Sequence, residues 1–241
     1  MADFKPNNIN GVPIPYDATI ADLQNLVKSP VPICWVVIRA LSAKNEIEAL
    51  ETLVGLINSP DWRFRRSAAE AIGISPIGRD SSEDICRLLY DPNSYVKRAA
   101  IEAAAKLRLS CAHDKILSLI KAVDVNTKIT ALAALEDLWN PGDFYPIFDR
   151  YLYDTSDRVH KISAKTIHRN IDTEHWRETF SEWVKDSIPR HRIWACELLR
   201  NFGSKSDLAI LPTLLQDNDG HVRHAAKLVE NLLVGSNNPN N

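Results

Sequence analysis

The sequence lacks the features that mark many enzymes, membrane proteins and secreted disulfide-rich domains. Its 241 residues include four cysteines, none in a Cys-x-x-Cys pair, and no GxSxG, HExxH or glycine-rich phosphate loop occurs. No apolar run approaches the ~20 residues that cross a bilayer. The N-terminus has no basic segment followed by a hydrophobic stretch, so no secretory signal is expected. These absences predict a cytoplasmic protein with free thiols and no catalytic residues.

The charge balance disfavours one further class of partner, nucleic acid. There are 29 Lys and Arg against 31 Asp and Glu, which gives a formal net charge of −2. A protein that binds nucleic acid through its phosphates needs an excess of basic residues, so nucleic acid is not the expected partner. His221 and His224 lie one helical turn apart, but no carboxylate or cysteine is placed to complete a metal shell. No metal site and no cofactor are therefore predicted.

A repeat of about 31 residues is the strongest positive signal in the sequence. An aspartate or a serine recurs every 30 to 33 residues, and we take it as the origin of each repeat. The origins are Ser29, Ser59, Asp91, Asp124, Asp154, Asp186 and Asp217. Small or apolar residues, such as Ala100, stand nine positions after the origins. A period of this length is typical of stacked supersecondary units that bury their apolar faces against their neighbours.

One repeat shows the structure that each unit is expected to form. Residues 81–84 (Ser-Ser-Glu-Asp) supply hydroxyls and carboxylates that favour a helix start. Asp91 and Pro92 end that helix, because proline disfavours helical geometry in the residue before it. A second, alanine-rich helix then runs from Tyr95 to Leu107. The repeat is therefore predicted to be a helical hairpin.

This pattern resembles the HEAT-repeat family, especially its short variant of about 30 residues first noted in phycobilisome lyases. That variant carries an aspartate followed five and six residues later by valine and arginine. The closest matches here are Asp91 with Val96 and Lys97, and Asp217 with Val222 and Arg223. The repeat pattern and the resemblance together predict an all-α, right-handed α-solenoid of about seven helical hairpins.

The repeat spacing also predicts where the hairpins lie. They are expected near residues 19–45, 46–75, 81–109, 113–140, 143–171, 173–202 and 206–234. Together they would form a single array over residues 19–234. The segments outside the array are expected to be a flexible extension over residues 1–18 and a disordered tail over residues 235–241.

Basic residues stand six positions after most origins, and we interpret them as structural. In the family that the sequence resembles, the equivalent aspartates and arginines pair and fix the stack. The predicted ladder consists of Arg65, Lys97, Arg192 and Arg223 with Asp91, Asp154, Asp186 and Asp217, and His160 stands in the same row. The alternative is a binding stripe for an acidic partner.

A second set of basic and aromatic residues marks a candidate contact patch on the later repeats. It comprises Lys161, Lys165, His168, Arg169, Trp194 and Arg200. These residues fall on second helices, which line the concave face in the resembling family. We predict that they contact a partner protein, and a solvated charged face is the alternative.

These observations favour a non-enzymatic adaptor that binds another protein or a peptide on its concave face. The resemblance implies an alternative, a phycobilin-lyase-like or chaperone subunit that acts on chromophore-carrying proteins and pairs with a homologous subunit. A second alternative is a DNA-binding, alkylpurine-glycosylase-like HEAT protein, which the slightly acidic charge balance disfavours.

Overall fold

The computed structural model describes residues 8–30, 33–170 and 173–235, and these ranges are mostly helical. The helices are α1 (Ile20–Leu26), α2 (Ile33–Leu41), α3 (Ile47–Ile57), α4 (Trp62–Ile72), α5 (Ser82–Leu88), α6 (Ser94–Leu107), α7 (His113–Leu119), α8 (Val125–Ala134), α9 (Phe144–Tyr153), α10 (Asp157–Asn170), α11 (Thr173–Trp183), α12 (Pro189–Phe202), α13 (Leu211–Leu215) and α14 (Gly220–Gly235). They follow one another as seven helical pairs. The predicted all-α class with about seven helical hairpins is confirmed.

The helical pairs are distributed over two compact units. Residues 1–170 hold the first five pairs, and residues 171–241 hold the last two. The prediction of a single array over residues 19–234 stays a prediction. In the described ranges, no helix combines the length and the apolar character that crossing a membrane requires. The predicted tail lies outside the described residues apart from Gly235, with which α14 ends.

The segment before α1 contacts the first repeat. Strands β1 (Asn8–Ile9) and β2 (Val12–Pro13) pair in antiparallel fashion around Asn10 and Gly11, whose φ angles of 52° and 80° form the turn. The Lys44 ammonium donates hydrogen bonds of 2.9 Å to the carbonyl oxygens of Tyr16 and Ala18. Residues 1–7 of the predicted extension lie outside the described residues.

Side-chain caps determine where several second helices begin. The Asn93 side chain accepts a hydrogen bond of 2.9 Å from the Tyr95 N–H at the start of α6. Asp61 accepts one of the same length from the Arg63 N–H in α4. These bonds satisfy N–H groups that a first helical turn leaves without partners, so the hairpins turn at fixed residues.

Small residues let the second helices pack closely against one another. Ala68 in α4 and Ala100 in α6 are fully buried. A Cβ atom added to Gly73, which caps α4, would lie 2.7 Å from the Cβ atom of Ala103. Helix backbones can approach this closely only where side chains are absent or small, which explains the alanine-rich second helices.

The prediction that all the cysteines are free thiols is wrong for one pair. A disulfide joins Cys86 in α5 to Cys111, with the Cα atoms 6.8 Å apart. Cys111 lies in the 3-10 turn Ser110–Ala112, which opens the next repeat and packs against α5. The two cysteines are 25 positions apart, and the chain between them forms almost a whole hairpin that returns to its start. Close sequence spacing is therefore not needed for this pairing.

We expect Ala100→Leu to destabilise the protein by about 1–3 kcal/mol, because the larger side chain must fit between tightly packed helices. Ala133→Leu is the matched control, since Ala133 also stands nine residues after its origin but is exposed on α8. Its free energy of unfolding should change by less than about 0.5 kcal/mol. Urea denaturation measures both. Equal stability of the two variants would mean that the packing of α6 is misplaced.

Candidate functional site

The second helices of the first unit form one layer, which we call the second-helix face. In this layer α4 packs against α2 and α6, and α8 packs against α6 and α10. The face therefore presents side chains from five consecutive repeats. Its inner residues stabilise the stack, and its outer residues are available for contacts with other molecules.

Salt bridges join several second helices to the aspartate in the turn between the two helices of the next repeat. The pairs are Arg65–Asp91 at 2.7 Å, Arg98–Asp124 at 2.9 Å, Lys128–Asp154 at 2.6 Å and, within the second unit, Arg192–Asp217 at 2.7 Å. Asp91 and Asp154 are almost completely buried, with side chains 5% and 1% exposed. These pairs therefore act between repeats and belong to the architecture.

Other members of the predicted ladder bind within their own loops. Arg223 donates to the carbonyl oxygen of Asp217 at 2.7 Å, and Asp186 pairs with His191 at 2.8 Å. The His160 ring contacts the carbonyl of Asp154. Lys97 acts on Asp91 through its charge, while the neighbouring Arg98 makes the contact to the next repeat.

The structure of the fourth repeat explains why Arg98, rather than Lys97 one position earlier, binds Asp124. Its second helix begins one residue after Asp124, whereas α6 begins three residues after Asp91. Asp124 thus caps α8 directly, accepting hydrogen bonds from the N–H groups of Asn126 and Thr127. Because the carboxylate sits closer to its helix, a basic residue one position further along the preceding helix reaches it.

The environment lowers the pKa of the aspartates that form these pairs. Burial raises the pKa of Asp91, but the hydrogen bonds from Arg65 and from the Asn93 N–H outweigh that effect. Hydrogen bonding to Thr127 is the main cause of the lowered pKa of Asp124. Both groups are therefore held as carboxylates at neutral pH, and each remains a firm partner for its cation.

A buried histidine links the fourth repeat to the fifth. His113 is 8% exposed, and its Nε2 atom lies 2.9 Å from both carboxylate oxygens of Asp143, while Nδ1 lies 2.9 Å from Asp114. Asp143 also accepts the N–H of Asn140 at 2.9 Å. Burial lowers the pKa of His113, but the two carboxylates raise it by more. The net shift favours the imidazolium.

The α10 part of the predicted contact patch lies next to a buried carboxylate. Lys165 and Arg169 bind Glu136 at 3.1 Å and 2.7 Å, and the Glu136 side chain is only 4% exposed. The two cations themselves are 64% and 58% exposed. Lys161 is exposed on the same helix, and the side chain of His168 lies outside the described ones.

The rest of the predicted patch belongs to the second unit. Trp194 is 7% exposed and packs against Trp183 and His191, with ring centroids 5.2 Å and 5.1 Å away. Arg200 pairs with Glu197 at 2.7 Å on the same helix. Trp194 therefore packs mainly in the core of its unit. In the ranges that the structure describes, no three His, Cys, Asp or Glu side chains are grouped as a metal site.

Sequence reasoning missed a cavity of about 480 Å³ between α2 and α4 on the second-helix face. Its walls include Trp35 and Trp62. These two residues stand six and three positions after their origins, so no shared repeat position singled them out. The three-dimensional packing of α2 on α4 brings them together.

We expect Arg65→Ala to lower the free energy of unfolding by about 3 kcal/mol, because it leaves the buried carboxylate of Asp91 without its cation. Arg63→Ala, which removes an exposed partner of Asp61, is the control and should change stability little. Thermal and urea denaturation give both values. Indistinguishable losses would show that the pairing between repeats is not what stabilises the stack.

The raised pKa of His113 predicts a specific dependence of stability on pH. A raised folded-state pKa stabilises the protein fully below the ordinary value of 6.5, and this contribution is lost as pH rises through the folded value. Unfolding free energies measured across this range should fall in the wild type and fall less in His113→Gln. The exposed His224 provides the control variant, His224→Gln, which should retain the wild-type dependence.

A model of HEAT repeats matches residues 23–105, which cover the first three helical pairs almost completely. No curated protein matches the sequence. Among solved structures, the complex of CpcE and CpcF of phycocyanin lyase from Nostoc sp. PCC7120 is similar, with a TM-score of 0.57 and 17% identity. That match covers 97% of this chain and 99% of the other.

Two further structures share the architecture. The Escherichia coli protein YibA gives a TM-score of 0.53 at 16% identity, over 89% of this chain and 93% of that one. A designed armadillo repeat protein in complex with the peptide (KR)4 gives 0.52 at 16% identity, over 90% and 100%. At such identities the likeness concerns the fold. The chain is therefore a helical-repeat protein whose first three helical pairs match HEAT repeats and whose fold is similar to that of the phycocyanin lyase structure.

Proposed function

We propose that the chain is a non-enzymatic adaptor that holds a partner protein or peptide on the second-helix face. The observation that carries this proposal is the side-by-side packing of α2, α4, α6, α8 and α10. The origin aspartates are engaged between these repeats, so the stack is stabilised by groups other than the outermost side chains. A stack of this kind offers a partner a long surface whose specificity is set by exposed residues.

The similar structures support this proposal at the level of the fold. One is a complex of two chains, CpcE and CpcF, and another is an armadillo repeat protein with a bound peptide. Each of these structures therefore contains a second polypeptide bound to the first. The similarity concerns the fold, so the choice of partner would depend on the exposed side chains of this sequence.

The α10 residues are the proposed contact for an acidic part of the partner. Lys161, Lys165 and Arg169 carry three positive charges against the one negative charge of Glu136, which leaves an excess of +2. Lys165 and Arg169 hold Glu136 while most of each side chain faces solvent. Complementary charges would orient an acidic segment and speed its association. Because Trp194 is largely buried, we restrict the contact to α10.

The proposal is tested by comparing two charge-matched variants as baits in native lysate. The variant Lys161→Glu/Lys165→Gln lowers the net charge of α10 by 3. The variant Lys115→Glu/Lys121→Gln lowers the net charge by the same amount at α7, the first helix of the fourth repeat, and just after it. We expect quantitative mass spectrometry to find a partner that the wild type and the α7 variant retain. The α10 variant should retain it several-fold less.

The interaction should also be mapped with the purified partner. Hydrogen exchange is expected to slow at the exposed second-helix positions and to remain unchanged on the first helices. Circular dichroism melts check that both variants remain folded. Equal retention of the partner by the two variants, or protection confined to the first helices, contradicts the proposal.

A second candidate function is a lyase-like or chaperone subunit for chromophore-carrying proteins. The observation that favours it is the similarity to the CpcE and CpcF structure over nearly the whole of both chains. This function predicts copurification with a homologous subunit and absorbance from a bound bilin. An adaptor that does not act on chromophore-carrying proteins shows neither. Absorption spectra of the copurified material therefore distinguish the adaptor from the lyase-like subunit.

A further inference from the structure

The cavity between α2 and α4 combines apolar walls with arginine side chains. Trp35, Ile38, Trp62 and Ile74 form much of its apolar lining, and Ile74 is 40% exposed. Its arginines are Arg39, Arg63 and Arg66, and Glu70 is its acidic member. A volume of about 480 Å³ lies within the range of pockets that bury a sizeable ligand group.

The three arginines differ in how their charges are balanced. Arg63 lies 2.6 Å from Asp61, and Arg66 lies 2.7 Å from Glu70. Arg39 is half-buried, and among the residues that the structure describes it has no carboxylate within ion-pair distance. A guanidinium beside apolar and aromatic walls binds a carboxylate more strongly than one in open water. The cavity therefore favours an anionic group.

An aromatic row extends the cavity along the second-helix face. The rings of Trp62 and Tyr95 are stacked with centroids 5.2 Å apart, and Tyr95 is 50% exposed on α6. The Arg98 guanidinium lies over the Tyr95 ring at 4.6 Å. Exposed aromatic side chains next to a pocket are typical of sites where a few residues supply most of the binding energy. The row also gives flanking residues of a ligand a surface to contact.

We propose that this cavity binds an aromatic side chain of an acidic peptide segment, with a neighbouring carboxylate of that segment on Arg39. The inference rests on the proposed adaptor function and names the chemistry of one partner segment. Trp35 and Trp62 contact the inserted ring, and Arg39 supplies the charge that selects an acidic neighbour. A basic segment meets the same arginine and is repelled, which makes the selection specific.

The peptide, rather than a small aromatic acid, is the occupant that fits the extent of the site. A small acid would use the tryptophans and Arg39 alone. The aromatic row from Trp62 to Tyr95 continues onto a third repeat and contacts residues on either side of an anchor. The cavity and the row together therefore recognise a short stretch of extended chain.

The experiment titrates the ¹⁵N-labelled full-length chain with four probes. These are the blocked peptides Glu-Glu-Phe-Glu-Glu, Glu-Glu-Ala-Glu-Glu and Lys-Lys-Phe-Lys-Lys, and phenylacetate. Trp35→Phe and Trp62→Phe assign the two indole N–H signals. We expect only the acidic phenylalanine peptide to shift both signals saturably, with its affinity falling as salt is added.

Variants locate the binding determinants. Arg39→Gln should weaken the acidic phenylalanine peptide at least tenfold, and Ile74→Glu, at the exposed wall, should weaken it similarly through repulsion. Lys106→Glu, on the exposed side of α6, is the control and should leave the affinity within twofold. Amide spectra of each variant establish that the fold is retained. If Arg39→Gln does not fold, the affinity of Ile74→Glu for the acidic phenylalanine peptide tests the site instead.

Several results would overturn the inference. They are equal binding of the alanine peptide, equal binding of the lysine peptide, phenylacetate binding as tightly as the peptide, or unchanged affinity in Arg39→Gln and Ile74→Glu. The inference would also be overturned if the acidic phenylalanine peptide shifted neither indole N–H signal. These outcomes are separate from the adaptor test, because partner retention there depends on the α10 variant, which leaves Trp35, Arg39 and Trp62 unaltered.

Discussion

The structure depends on one recurring interaction, a salt bridge between a basic residue on one second helix and the aspartate in the turn between the two helices of the next repeat. It recurs as Arg65–Asp91, Arg98–Asp124 and Lys128–Asp154 in the first unit and as Arg192–Asp217 in the second. Each aspartate also accepts backbone N–H groups of its own turn, as Asp91 does from Asn93. One carboxylate therefore shapes a turn and attaches it to the preceding repeat.

This arrangement separates the groups that build the stack from those that can bind. The paired carboxylates are mostly buried or half-buried, and small residues such as Ala68 and Ala100 let the second helices meet. Large side chains such as Tyr95, and cations such as Lys165, are left at the surface of the same helices. The outer residues can therefore vary from repeat to repeat while the inner pattern is kept. The cations of α10 and the cavity near Arg39 are two places where the outer residues differ from those of the other repeats.

Much of the fold could be predicted from the sequence because its cause is local and repeated. The helix break at Asp91 and Pro92 and the alanine-rich second helix are both signals within a single hairpin. The same kinds of signal recur about every 31 residues, so they predict the whole array. The fourth repeat shows where that reasoning fails. Asp124 occupies its expected place in the period, but α8 begins two residues sooner after it than α6 does after Asp91. Ala133 is consequently exposed, although its spacing matches that of the buried Ala100.

The candidate site was less accessible to sequence reasoning because it depends on contacts between repeats. Glu136 and Lys165 lie 29 residues apart, and nothing in either repeat alone shows that the carboxylate is buried beneath the cation. Trp35 and Trp62 share no repeat position, yet helix packing places both on one cavity. The basic residues of α10 could be identified from composition. Their shared buried counter-ion required the packed structure.

The covalent bond between Cys86 and Cys111 has a consequence for the third repeat. Because α6 lies wholly within the 25-residue loop that the bond closes, its ends stay tethered even when the helix loses its neighbours. Closing such a loop lowers the entropy of the unfolded chain and favours the folded state by about 3 kcal/mol on a chain-entropy account. The thiol–disulfide equilibrium of the surroundings therefore sets how firmly the middle of the first unit is held.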